Sequence, residues 1–322
     1  MNVKSLINNA ATQKELFTAG PASLIEENLL YLSGAFGRGD ELYNYQEEQV
    51  LAWLCKLSGK SNIARLQGSS TLAIEIALRN FISGSVLVVE TGYYAKRLGS
   101  ILSLISKTDD SINIEVCDLM DIHEKMENKY DWVVTCFVET SMGYKFDPSD
   151  LLEIKRRTEA KLFLDSTASI GLENDHYIAD VHAFSSCKGL FGLTGASFIA
   201  FADGLETNEI DSFYLDIKTH LNKNVTGPYH SIQSLYGIMN IHHEIVEGVK
   251  INKLRFLNKF KNHSQNEPLL CTMVDKVIKS SSASAIMYEP RSLQEGMSIV
   301  CHIGEAHLKS KARGDIQSSL FY

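Results

Sequence analysis

Two residues able to do covalent and acid–base chemistry stand just past neighbouring apolar runs. Asp165 closes the run Ala160–Asp165 (AKLFLD), and Lys188 follows Val181–Ser186 (VHAFSS). Ligands of open α/β sheets gather beyond the carboxyl ends of the strands, so such strands would bring an amine and a carboxylate to one rim. An isolated lysine and aspartate are more commonly a solvated side chain and a turn former. Here the surroundings differ: Lys188 lies in Ser185-Ser186-Cys187-Lys188-Gly189, and Gly192 and Gly195 follow. Small residues let a bulky group approach the backbone, which a solvated lysine does not need. A pyridoxal site requires this pair, the amine to bind the aldehyde and the carboxylate to keep the pyridine nitrogen protonated.

Gln67-Gly68-Ser69-Ser70-Thr71 separates a short apolar stretch from a helical pattern, placing free N–H groups and three hydroxyls at a helix N-terminus. That is an anion cradle suited to a phosphate, while the plainer alternative is an N-cap of the ordinary serine type. Tyr94, in Glu90-Thr91-Gly92-Tyr93-Tyr94, follows another apolar run and offers a ring that stacks on a flat heterocycle, or else a buried structural tyrosine.

The elements that must position these groups alternate. Ser85–Glu90, Ile112–Val116, Asp131–Val138, Ala160–Asp165, Val181–Ser186 and Gly195–Ala202 read as buried strands, being apolar and β-branched or aromatic. Thr71–Phe81, Ala95–Ile105 and Pro148–Arg157 read as helices between them, which predicts an α/β sheet with crossover helices. From about Tyr229 the pattern becomes one long helical stretch followed by an α+β tail. The expected division is a large domain over 1–235, including the N-terminal segment, and a small, shortened C-terminal domain over 236–322.

Composition narrows the partners. With 322 residues, 44% hydrophobic and 22% charged, the chain can bury a substantial core. A net charge of -8 argues against nucleic acid or anionic lipid as partner and leaves small molecules. The six cysteines form no CxxC pair, and several sit inside apolar runs, as reduced buried thiols do. The opening segment MNVKSLINNAATQKELF has no continuous apolar stretch, and none elsewhere approaches the ~18 residues of a membrane span, so a cytoplasmic location is expected.

Six blocks carry a family resemblance in order: Leu16–Leu24 (LFTAGPASL), Arg65–Leu78, Glu90–Leu98 (ETGYYAKRL), Phe137–Gly143 (FVETSMG), Leu162–Gly171 (LFLDSTASIG) and Ser185–Phe201. Together they make the chain resemble class V aminotransferases, close to the branch of 2-aminoethylphosphonate–pyruvate transaminases, from Leu16 to about Glu305. The resemblance implies the fold type I of pyridoxal-phosphate transferases: a mainly parallel mixed sheet with helices on both faces and a small α+β domain. It implies pyridoxal 5'-phosphate as cofactor, Lys188 as the Schiff-base lysine, and Asp165 as the partner of the pyridine nitrogen. Ser69, Ser70 and Thr71 correspond to the phosphate cradle, Tyr94 to the stacking aromatic, and Thr140 to a residue near the phenolic oxygen. Thr226, in Asn224–Pro228, corresponds to a residue reaching the cofactor of the neighbouring subunit, which implies a homodimer with shared sites. Thr18, Ala19 and Gly20 match the turn lining the substrate pocket.

The chain departs from the family where an arginine usually grips the substrate carboxylate. That position falls on Ile299, within Ser298–Gly304, and Arg291 is a candidate replacement. The leading reading is an aminotransferase for a small amine donor, an aminophosphonate such as 2-aminoethylphosphonate, with pyruvate or a similar keto acceptor. A lyase or decarboxylase using the same cofactor is the second reading, which Ile299 favours. A cofactor-binding protein without turnover is the third, disfavoured by the intact Lys188/Asp165 pair.

Overall fold

A computed structural model describes residues 14–35, 37, 39–260, 267–291, 295–305 and 317–322. Most of the opening segment read for a leader lies outside them. In chain order, the elements used below are β1 (Glu15–Phe17), α1 (Glu41–Ser58), β2 (Asn62–Gln67), α2 (Ser70–Phe81), β3 (Gly84–Glu90), α3 (Tyr93–Ile105), β4 (Ile112–Asp118) and β5 (Trp132–Cys136). There follow α4 (Pro148–Thr158), β6 (Lys161–Asp165), β7 (Val181–Ser185), β8 (Ala196–Phe201), α5 (Tyr229–Ile238), α6 (His242–Phe260), β9 (Cys271–Val274), β10 (Ala285–Met287) and β11 (Ser298–Cys301).

Seven strands form the central sheet in the order β2-β8-β7-β6-β5-β3-β4. The pairs from β7 to β4 are parallel, and β8 runs antiparallel to both of its neighbours. The expected mainly parallel, mixed sheet is therefore present. Its two faces are read off β3: Val86 and Val88 pack with Ala73, Ala77 and Leu98 of α2 and α3. The alternate residues Leu87 and Val89 pack with Leu151 and Ile154 of α4 on the other side. A further cluster joins Val50 and Leu54 of α1 to Phe184, Phe198 and Leu235. Helices on both faces explain why these strands are continuously apolar rather than alternating.

Local chemistry sets the helix ends. The Asp147 carboxylate accepts from the Ser149 N–H ahead of a proline-led α4, and the Asp40 carboxylate accepts from the Tyr43 N–H at the start of α1. Helix α1 ends on Gly59 at φ 64, a left-handed C-cap.

The structure corrects two readings. The expected strand Asp131–Val138 stops at Cys136, where the Phe137 N–H turns to the Asp165 carbonyl at 3.1 Å, and Val138–Glu139 pairs instead with Tyr144–Lys145. The single helical stretch after Tyr229 is two helices, broken at Met239–Ile241. Beyond it, Cys271↔Cys301 and Met273↔Ile299 face each other across β9 and β11, and β1 pairs in parallel with β10. Among the described residues, no helix is long and apolar enough to cross a membrane. No cluster of three histidine, cysteine or acidic groups is placed to hold a metal there. The cysteines are all free, and Cys117, Cys136, Cys271 and Cys301 are buried.

Candidate active site

Adjacent strands β6 and β7 end side by side, with Asp165 opposite Ala183, and so bring Asp165 and Lys188 to one rim. There a cavity of about 180 Å³ is lined by Ser70, Tyr94, Arg97, Val138, Thr140, Asp165, Thr167, Ala168 and Lys188. Five residues singled out from the sequence, drawn from five separate blocks, thus meet around one space.

Lys188 follows β7 in a turn closed by the Phe191 N–H on the Lys188 carbonyl, 2.9 Å. The glycines around it have packing reasons. A Cβ on Gly189 would stand 2.3 Å from the Ile170 carbonyl oxygen, so the strand-end loop can press onto the turn after β6 only if this residue lacks a side chain. Gly20 lies against the Lys188 stem, where a Cβ would be 2.9 Å from Cγ. The expected Thr18–Gly20 turn therefore touches the lysine, although Ala19 packs into the apolar cluster of Val138, Ala168 and Ile299. Among the described residues, the Lys188 amine has no ion-pair partner; it lies 5.7 Å from the centre of the Tyr94 ring.

Asp165 is 4% exposed, and its two oxygens are separately held. Oδ1 accepts from the Thr167 N–H at 3.0 Å and Oδ2 from Arg97 Nη2 at 3.2 Å. The neighbouring Cys136 thiol is pushed up by burial and by the Asp165 charge.

Tyr94 sits in the first turn of α3, and a residue distant in sequence holds it there. Glu139 is fully buried, and its Oε2 accepts from the N–H groups of Tyr94 and Ala95 at 3.1 and 3.0 Å. Its Oε1 accepts from the Ser141 N–H and hydroxyl at 3.1 and 2.5 Å, which also fixes the turn carrying Thr140. A carboxylate at a helix N-terminus satisfies orphan amides and suits the local dipole. On its outer side the Tyr94 hydroxyl is 3.5 Å from that of Tyr288, whose pKa is raised by burial and by Tyr94.

The remaining predicted residues fall as follows. Ser69 is the N-cap of α2 but makes no side-chain cap hydrogen bond, so the ordinary capping alternative is not realised. Thr71 accepts from Arg97 Nη1 at 3.4 Å. Thr226 lies on an exposed loop away from the cavity lining, beside Gly227, which packs on the Arg65 guanidinium. Arg291 is exposed and donates to the Tyr93 hydroxyl at 2.5 Å, stacked 5.0 Å from that ring. It stands beside Tyr94's neighbour rather than in the cavity. Ile299 is 1% exposed in β11 and belongs to the apolar cluster behind Val138 and Ala168.

Arg97, Glu139, Thr167 and Tyr288 were not singled out from the sequence. Arg97 carried a usable signal, since it is three residues after Tyr94 on a helix and so shares its face. Glu139 carried another, as an acid directly following the apolar run that ends at Val138.

No family model matches the chain. A curated 2-aminoethylphosphonate–pyruvate transaminase of Pseudomonas aeruginosa is 25% identical over 198 residues, 57% of this chain and 53% of that protein. The chain thus spans about half the length of the curated relatives it matches. Two solved structures are similar over most of their length. Ureidoglycine–glyoxylate aminotransferase of Bacillus subtilis has a TM-score of 0.78 at 16% identity, covering 91% of this chain and 88% of the other. An aspartate aminotransferase of Thermus thermophilus has 0.79 at 17%, covering 94% and 96%. The chain has the fold of these aminotransferases.

Proposed function

We propose that this protein is a pyridoxal-phosphate-dependent aminotransferase for a small amine, an aminophosphonate such as 2-aminoethylphosphonate, with pyruvate or a similar keto acceptor. The observation that carries the reading is the meeting of the Lys188 amine and the Asp165 carboxylate in one cavity flanked by the Tyr94 ring. The curated relatives support the amine class, and the fold supports the cofactor class.

The residues present fit pyridoxal phosphate. Thr167 Oγ1 and Arg97 Nε are buried with no hydrogen-bond partner among the described residues, so the cavity wall keeps polar capacity in reserve for a polar ligand. Lys188 would hold the cofactor covalently, Asp165 its ring nitrogen, and Ser69, Ser70 and Thr71 its phosphate at the N-terminus of α2. Tyr94 would cover one ring face, and Thr140 would lie toward the phenolic oxygen. When bound, pyridoxal phosphate supplies an aldehyde that takes up an amine and a ring that accepts the electron pair released at the adjacent carbon. Lys188, displaced by the incoming amine, would take the proton from that carbon and deliver it to the carbon that came from the aldehyde, so that water releases the carbonyl product and the amino group stays behind. Val138, Ala168 and the buried Ile299 cluster keep water and cations away from that side, which favours amines lacking an α-carboxylate.

The same apolar wall favours the second reading, a lyase or decarboxylase, because the expected carboxylate grip is absent at Ile299. We also propose a homodimer in the cytoplasm, its exposed Thr226 loop completing the partner's phosphate site. Mixing inactive Lys188→Ala and Thr226→Ala chains should restore activity through hybrid sites; no recovery after confirmed exchange refutes the shared site.

Borohydride reduction of protein incubated with pyridoxal phosphate, followed by peptide mass spectrometry, should place the adduct on Lys188. An adduct elsewhere, or none, overturns the cofactor reading. Incubation with 2-aminoethylphosphonate should then yield its aldehyde and the amino form of the cofactor, whereas cleavage of its carbon–phosphorus bond, or carbon dioxide release from an α-amino acid offered in its place, would establish the lyase or decarboxylase reading instead.

A further inference from the structure

We infer that Arg97 positions Asp165 for the cofactor's ring nitrogen, an inference that rests on the pyridoxal-phosphate reading above. Arg97 rises from α3 one turn after Tyr94 and packs its guanidinium 5.1 Å from the Tyr94 ring centre. From there Nη2 donates to Asp165 Oδ2 at 3.2 Å and Nη1 to Thr71 Oγ1 at 3.4 Å. Its side chain is 27% exposed, whereas that of Asp165 is 5% exposed, so the ion pair lies at the inner wall of the cavity.

With the Thr167 N–H on Oδ1 and Arg97 on Oδ2, each oxygen carries one donor and the carboxylate plane is fixed. An ionised carboxylate offers about four lone-pair sites, so two such bonds leave acceptor capacity for a third donor. Asp165 lines the cavity, and a ring N–H arriving there meets an acceptor already oriented, with little rotamer freedom left to lose. Arg97 also spans from Asp165 to Thr71, that is, from the ring-nitrogen end toward the phosphate end of the site. A contact of Arg97 with the phosphate is therefore the competing role, and the test must separate the two.

The discriminating pair of probes is pyridoxal phosphate and its 1-deaza analogue, in which C–H replaces the ring nitrogen. Dissociation constants for both are measured by equilibrium dialysis on wild-type protein and on Arg97→Met. Loss of a hydrogen bond to a charged group should weaken pyridoxal phosphate about tenfold in the variant. The 1-deaza analogue has no nitrogen for Asp165 to meet, so its affinity should change by less than about twofold. Equal loss for both probes assigns Arg97 to the phosphate and overturns the inference; no loss for either makes Arg97 a bystander and overturns it as well. If Arg97→Met does not fold, Arg97→Gln keeps a donor on a shorter stem and is read against the same two probes. Failure of wild-type protein to bind pyridoxal phosphate at all refutes the cofactor reading instead.

Discussion

Replacing Glu139 by glutamine tests the claim that one buried carboxylate sets the position of both Tyr94 and Thr140. All four of its partners donate: two amides at the head of α3 and the amide and hydroxyl of Ser141. Glutamine keeps the volume but turns one oxygen into an NH2 group, which must face two donors on whichever side it points. Two hydrogen bonds to a charged acceptor are lost, each worth about 1.5–3 kcal/mol, so the expected destabilisation is about 3–6 kcal/mol. Ser141→Ala removes the short hydroxyl bond to Glu139 and the bond that the hydroxyl accepts from the Tyr93 N–H at 3.0 Å, and should cost about 2–4.5 kcal/mol. Urea unfolding followed by circular dichroism measures both. Glu139→Gln should also weaken pyridoxal phosphate, because the first turn of α3 carrying Tyr94 loses its tie. A destabilisation below about 1 kcal/mol with unchanged cofactor affinity would refute the positioning role.

Three further outcomes follow from buried groups. Glu47 is buried between Arg65 and Lys223; burial alone would raise its pKa, but the two cations outweigh it and the net shift is downward. Glu47→Leu strands the buried Arg65 charge and should cost about 3–5 kcal/mol in urea unfolding, and a loss under about 1 kcal/mol would contradict the pairing. Gly20→Ala places a Cβ 2.9 Å from Lys188 Cγ at a φ of +120, and should cost about 1–3 kcal/mol while slowing borohydride-trappable adduct formation on Lys188. An unchanged rate and stability would show that the turn yields freely. His176 and His302 are each pushed down by burial to about 3 from the ordinary 6.5, and His182 is pushed well below it. Because the unfolded chain binds these protons first, their contribution is fully present above pH 6.5 and falls as the pH drops below it, by up to about 4 kcal/mol per unit for the three together. Equal unfolding midpoints at pH 7 and pH 5 would refute that account.

The sequence by itself determined the strand and helix runs of the central sheet, because continuous apolar strands and amphipathic helices are local patterns. Observed strands such as Ile112–Asp118 and Val181–Ser185 fall within a residue or two of the runs that marked them. It also marked Lys188, Asp165 and Tyr94, since residues just past apolar strands are where an α/β sheet exposes its ligand rim. Only the tertiary structure decided the strand order, with β8 inserted antiparallel between β2 and β7, because pairing depends on contacts between distant segments. The break at Met239–Ile241 was hidden because apolar spacing runs through it. Arg97 and Glu139 stood at legible places, one turn after Tyr94 and just past an apolar run, but their partners, Asp165 and the α3 amides, lie 68 and about 45 positions away and only the fold brings them together. Arg291 and Ile299 show the same limit: residue type named their chemistry, but only packing placed one on the exposed Tyr93 ring and the other inside an apolar cluster.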